Sequence, residues 1–159
     1  MGEQVKVGMA DYKLAKSPDK LITLGLGSCI GITLYSRKHK SGAMAHIMLP
    51  KSTDSEKRSL KFADIAIEDM MEDLRKAGIK ASDLEAKIAG GAKMFSFNTS
   101  DEKNSIGYRN AVSVKNILSE MNIKIVAEDI GGTMGRTIEL DTETGELKIK
   151  TIGQDIKMI

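Results

Sequence analysis

Between residues 21 and 50 the chain runs LITLGL, GSC, IGITLY, SRKHKSG, AMAHIML and then proline. Three apolar runs of six or seven residues follow one another, parted first by glycines and then by a charged turn. Runs that short are below the length a helix needs, and their glycine and turn boundaries are those of strands. A chain that opens this way has to build its core around a β-sheet.

The rest of the sequence adds helices to that sheet. Val5 to Met9 reads as a short strand, and Lys16 to Lys20, with Pro18, as a polar connection. Leu21 to Leu26, Ile30 to Tyr35 and Ala43 to Leu49 are the three runs above. Lys51 to Arg58 reads as a polar, mobile loop. Ser59 is placed to cap a helix starting near Leu60, with Phe62, Ile65, Ala66, Met70, Leu74 and Ala77 on one face and Gly78 as its stop. Ala86 to Ala89 is a strand ending in Gly90-Gly91, and Phe95 to Asn104 is loop-like. A second helix fits Ile106 to Met121, its buried stripe made of Ala111, Val114, Ile117, Leu118 and Met121. Ile123 to Glu128 is a further strand, and the tail RTIELDTETGELKIKTI reads as a hairpin around a Thr-Gly turn. The expected fold is an α/β sandwich on a mixed β-sheet with two main helices, a single domain over residues 1–159.

Composition narrows the function classes. With no Trp, three Phe and three Tyr, the core has to come from aliphatic residues and ten Met. The 24 basic and 22 acidic residues are interspersed and leave a formal charge of +2, so no basic face argues for nucleic acid or an anionic membrane. No apolar run has membrane-spanning length, and the N-terminus lacks the apolar core of a signal peptide. A single cysteine makes no internal disulfide, and no Cys/His cluster suggests a metal. The expectation is a cytoplasmic protein without metal or cofactor.

That cysteine, Cys29, lies in GLGSCIG, residues 25–31. The glycines do not match a phosphate cradle. Their G-x-G-x-x-x-G spacing misses the dinucleotide pattern, and a strand rather than a helix follows. Cys29 is then either a small buried hydrophobe or a nucleophile kept uncrowded by its small neighbours. His46, inside AMAHIML, is either a core histidine with one hydrogen bond or the partner of that thiol. If the second and third apolar runs pair antiparallel with residue numbers summing to 78, His46 falls opposite Ile32, three residues from Cys29 in register. An imidazolium beside a thiol would favour the thiolate. His39, among Arg37, Lys38 and Lys40, reads as a solvated turn residue. No Asp or Glu lies on these runs to orient the imidazole, but Thr23 offers a hydroxyl.

GLGSCIGITLY…GAMAHIMLP, followed by FADIAIEDMMEDL, AKIAGGAKMF, IGYRNAVSVKNIL and IVAEDIGGTMGRTIELDTETGELKIK, resembles the CheD family over nearly the whole chain. These are the chemoreceptor glutamine deamidases of archaeal and bacterial chemotaxis. The resemblance implies an α/β sandwich, a nucleophile at Cys29, a catalytic histidine at His46 and a threonine third member at Thr23. Backbone groups around Gly27, Ser28 and Cys29 are the candidates for holding substrate and oxyanion. It further implies two partners, the cytoplasmic domain of a methyl-accepting receptor and the phosphatase CheC. A protein acting mainly as a non-catalytic partner of CheC is the alternative. A methylesterase or protease using the same Cys–His pair is a weaker one.

Overall fold

In the computed structural model, which describes residues 2–53, 57–94 and 105–159, the chain forms an α/β sandwich of three layers. Two five-stranded mixed sheets pack face to face, and two helices cover the outer face of one of them. The first sheet has the order β1 (Gln4–Lys6), β3 (Lys20–Leu26), β8 (Arg136–Asp141), β9 (Leu147–Thr151), β10 (Lys157–Met158). The second runs β2 (Asp11–Lys16), β5 (Ser41–Ile47), β4 (Ile30–Ser36), β6 (Glu85–Gly90), β7 (Lys124–Ile130). The sandwich and the two helices are those expected, with the strands divided between two sheets.

The division follows from side-chain alternation. Along β4, Ile30, Ile32 and Leu34 join the core under the helices, while Tyr35 joins the core between the sheets. In β5, Ala43, Ala45 and Ile47 face the helices and Met44 faces the first sheet. Every residue of β4 is buried, which is why the run IGITLY is apolar almost throughout rather than alternating. The helices α1 (Ala63–Lys76) and α2 (Ile106–Glu120) close the outer core with Ile65, Ala66, Met70 and Leu74 from one and Val114, Ile117 and Leu118 from the other.

Four local expectations are corrected. The strand read at Val5 to Met9 ends at Lys6, and a separate strand, β2, follows from Asp11. In DYKLAK the buried positions are only half-buried, because β2 is an edge strand, so its alternation is faint. The first helix starts at Ala63 rather than Leu60 and has no side-chain cap. Leu60 and Lys61 form a turn instead, and Phe62 is extended beside Leu49, with the Lys61 carbonyl accepting from the N–H groups of Met48 and Leu49. Ala77 stands exposed at that helix's C-cap rather than on its buried face. In the polar loop after Pro50, the N–H and hydroxyl of Ser52 both donate to Asp64. Residues 54–56 of that loop, and the loop expected at Phe95 to Asn104, lie outside the described residues.

Candidate active site

The GLGSCIG segment is the corner at which the chain leaves one sheet for the other. It begins in β3 with a bulge: Thr23 pairs with Ile138, but Leu26 pairs with Arg136, so β3 carries one extra residue. Gly25, at φ +73, supplies the left-handed backbone this needs. The bulge lets Thr23 and Leu26, three apart, both point into the inter-sheet core. Gly27, Ser28 and Cys29 then bend across to β4, and Met94 lies against Gly27.

Three successive carbonyls of this corner are held from outside. Gly27 accepts from the Ala92 N–H at 2.9 Å, Ser28 from the Asn110 side chain at 3.0 Å, and Cys29 from the Gly91 N–H at 2.9 Å. The approach is close enough that a Cβ on Gly90 would lie 2.2 Å from the Cys29 oxygen. Arg136 braces the far side. Its buried guanidinium donates to the carbonyls of Gly90 and Gly131 and pairs with Asp129 at 3.1 Å, tying β8 of the first sheet to the ends of β6 and β7 in the second.

His46 lies opposite Gly31, not Ile32: β4 and β5 pair with residue numbers summing to 77. The Ser36–Ser41 rung leaves a four-residue turn, one residue away from the spacing expected. A one-residue slip reverses faces. It puts His46 on the inter-sheet side with Gly31, whose missing side chain leaves room for Ile138 and Leu26 of the first sheet. Cys29 belongs to the same inter-sheet core, diagonal to His46 by register. His39, by contrast, is exposed in the turn and bonds Ser36.

Across the gap between sheets, Thr23 Oγ1 is 2.7 Å from His46 Nδ1 and 2.7 Å from the Val7 carbonyl. A hydroxyl has one proton, and a carbonyl can only accept. Thr23 therefore donates to Val7 and accepts from Nδ1–H, which fixes the imidazole as the Nδ1–H tautomer. Its Nε2 is left with a lone pair, and this atom has no hydrogen-bond partner among the described residues. Thr23, Cys29 and His46 are all buried, at 1%, 8% and 0% exposure.

Burial lowers the pKa of His46 and raises that of Cys29, the latter offset in part by the Cys29 backbone N–H turned toward its own sulfur. These directions run against the imidazolium and thiolate expected from the sequence. Both shifts favour the uncharged side chains. Among the described residues no three His, Cys, Asp or Glu side chains gather to hold a metal, and no helix is long and apolar enough to cross a membrane. Sequence reasoning missed the Val7 carbonyl, Arg136 and Asn110. The last had a legible signal: Asn110 sits one turn before Val114 on the buried stripe of α2.

A family model for CheD, described as chemotactic sensory transduction, matches residues 48–151. A protein of Clostridium kluyveri is 48% identical over 99% of this chain and 98% of its own length. One from Syntrophomonas wolfei is 49% identical over the full length of both chains, and one from Clostridium botulinum is 48% identical over 99% and 98%. Each of the three is named a probable chemoreceptor glutamine deamidase CheD. With a family model over most of its length and relatives at nearly half identity from end to end, this chain belongs to the CheD family.

Proposed function

We propose that the chain is a chemoreceptor glutamine deamidase, converting glutamine side chains of a receptor's cytoplasmic domain to glutamate with release of ammonia. The observation that carries the reading is the Thr23–His46 pair: it leaves a basic Nε2 unengaged on the face of the sheet that also carries the chain's one cysteine. The full-length kinship with proteins named for this activity supports the choice of substrate.

In the proposed reaction the Cys29 thiol gives its proton to Nε2 as sulfur attacks the carboxamide carbon. The oxyanion is taken up by backbone N–H groups of the Gly27–Ser28–Cys29 corner. Nε2–H then protonates the departing nitrogen, ammonia leaves, and a thioester remains. Water, deprotonated by the same Nε2, attacks the thioester, and the thiol regains its proton as the glutamate is released. Thr23 holds the tautomer throughout by accepting from Nδ1–H. Leu24 and Met94, half-exposed beside the corner, offer an apolar rim against which a receptor helix could lie. The activity is assigned to residues 1–159 as one domain working in the cytoplasm. Binding of CheC is proposed on the family resemblance alone.

The test is mass spectrometry of purified receptor cytoplasmic domain incubated with this protein. Specific glutamines are expected to become glutamate, and Cys29→Ala is expected to lower the rate by at least about a thousandfold. Equal conversion by the wild type and Cys29→Ala would sink the thiol mechanism. No conversion by either, with stimulation of a CheC phosphatase intact, would favour the purely regulatory alternative.

A further inference from the structure

Asn110 is fully buried in α2 and makes two hydrogen bonds, both from its amide nitrogen: to Ser28 O at 3.0 Å and to Met48 O at 3.0 Å. Two carbonyl acceptors fix the orientation of the amide, because the flipped group would set oxygen against oxygen. Its Oδ1 is then buried with no hydrogen-bond partner among the described residues. A buried acceptor without a partner is destabilising. The two carbonyls are what the asparagine is there to reach.

Both belong to the candidate site. Ser28 directly precedes Cys29, and Met48 comes two residues after His46. The β4–β5 ladder ends at the Ile30–Ile47 rung. Asn110 adds one more rung through a side chain, at the point where the backbone ladder has opened. It can do so because α2 comes exceptionally near: a Cβ on Gly107, one turn earlier, would lie 2.5 Å from Ala92 O and 2.6 Å from Gly91 O.

The Ser28–Cys29 peptide is trans, so its C=O and N–H point in opposite directions. With the carbonyl held on Asn110, the N–H is aimed away from α2. Neither the Ser28 nor the Cys29 N–H donates to another described residue. We propose that Asn110 is a positioning residue of the deamidation site, fixing the Ser28–Cys29 peptide so that the Cys29 N–H meets the oxyanion formed at the sulfur, and locking that peptide to the end of the strand bearing His46. The proposal rests on Cys29 being the nucleophile. It predicts that the asparagine acts on the chemical step rather than on receptor binding.

The experiment uses the full-length protein with Asn110→Leu, which keeps volume and loses both donors, and Asn110→Asp, which keeps shape. Rates are normalised to the folded fraction. In both, kcat for the receptor domain is expected to fall about tenfold to a hundredfold with KM within about threefold. The pH midpoint for iodoacetamide alkylation of Cys29 is expected to rise by about half a unit or more, because the peptide N–H no longer faces the sulfur. A side chain that only holds the fold together would lower the unfolding midpoint and leave kcat and the alkylation profile of the folded molecules unchanged. That outcome overturns the proposal. Should either variant fail to fold, Asn110→Ser, with one donor in a smaller side chain, is read the same way and loses an intermediate part of kcat. Alkylation needs no receptor, so it judges Asn110 even if Cys29→Ala shows that deamidation proceeds without the thiol.

Discussion

At the scale of single residues, the buried imidazole of His46 makes the molecule acid-sensitive. Its folded pKa lies below the ordinary value of 6.5 because burial disfavours the charged ring. Below about pH 6.5 the unfolded chain therefore binds a proton that the folded site refuses. Stability contributed by the neutral ring is fully present above that pH and is lost as pH falls toward the folded pKa. Urea midpoints measured from about pH 7.5 down to pH 5 should fall more steeply for the wild type than for His46→Gln. Parallel curves would show that His46 does not carry the difference. Cys29 and His46 were legible as candidates because each is chemically distinctive, one in a glycine-rich corner between apolar runs and the other inside such a run. Their facing was not, since one residue of turn length decides it and SRKHKSG does not declare where its turn closes. The Val7 carbonyl left no trace in the sequence, because every residue has one.

At the scale of elements, α2 is held by a glycine rather than by its hydrophobic stripe alone. Replacing Gly107 by alanine gains about 1 kcal/mol of helix propensity. Against that, the new methyl meets two backbone oxygens at 2.5 and 2.6 Å, neither of which can rotate away. The collision dominates, and Gly107→Ala should destabilise by roughly 1–3 kcal/mol in chemical denaturation. Gly8→Ala, with nothing within 4 Å of the added methyl, should stay within about 0.5 kcal/mol of wild type. An unchanged midpoint for Gly107→Ala would mean that α2 can slide outward without cost. Both helices, the tail hairpin and the three central strands could be read from periodicity. The edge strand β2 could not, because half-exposed Tyr12 and Leu14 give only a weak alternation.

At the scale of the whole molecule, the candidate site straddles two sheets: Thr23 is on one, His46 on the other, and Cys29 sits in the corner between them. Their relative position is set by the inter-sheet core of Leu21, Leu26, Met44, Ile138, Leu140 and Ile149. Loosening that core should separate Thr23 from His46 before it costs any secondary structure. In rising urea, deamidation is expected to decline ahead of the far-ultraviolet circular dichroism; coincident loss would mean that the two sheets part only on global unfolding. The division between sheets was hidden in the sequence because a strand's pattern records that it has a buried face, not which layer covers it. A last consequence concerns synthesis. All three residues have left the ribosome once residue 46 is clear of it, yet β3 waits for β8, residues 136–141, to complete its pairing. A nascent chain thus carries all three candidate residues for most of its translation with half the scaffold missing, and their arrangement is complete only when the last strands arrive.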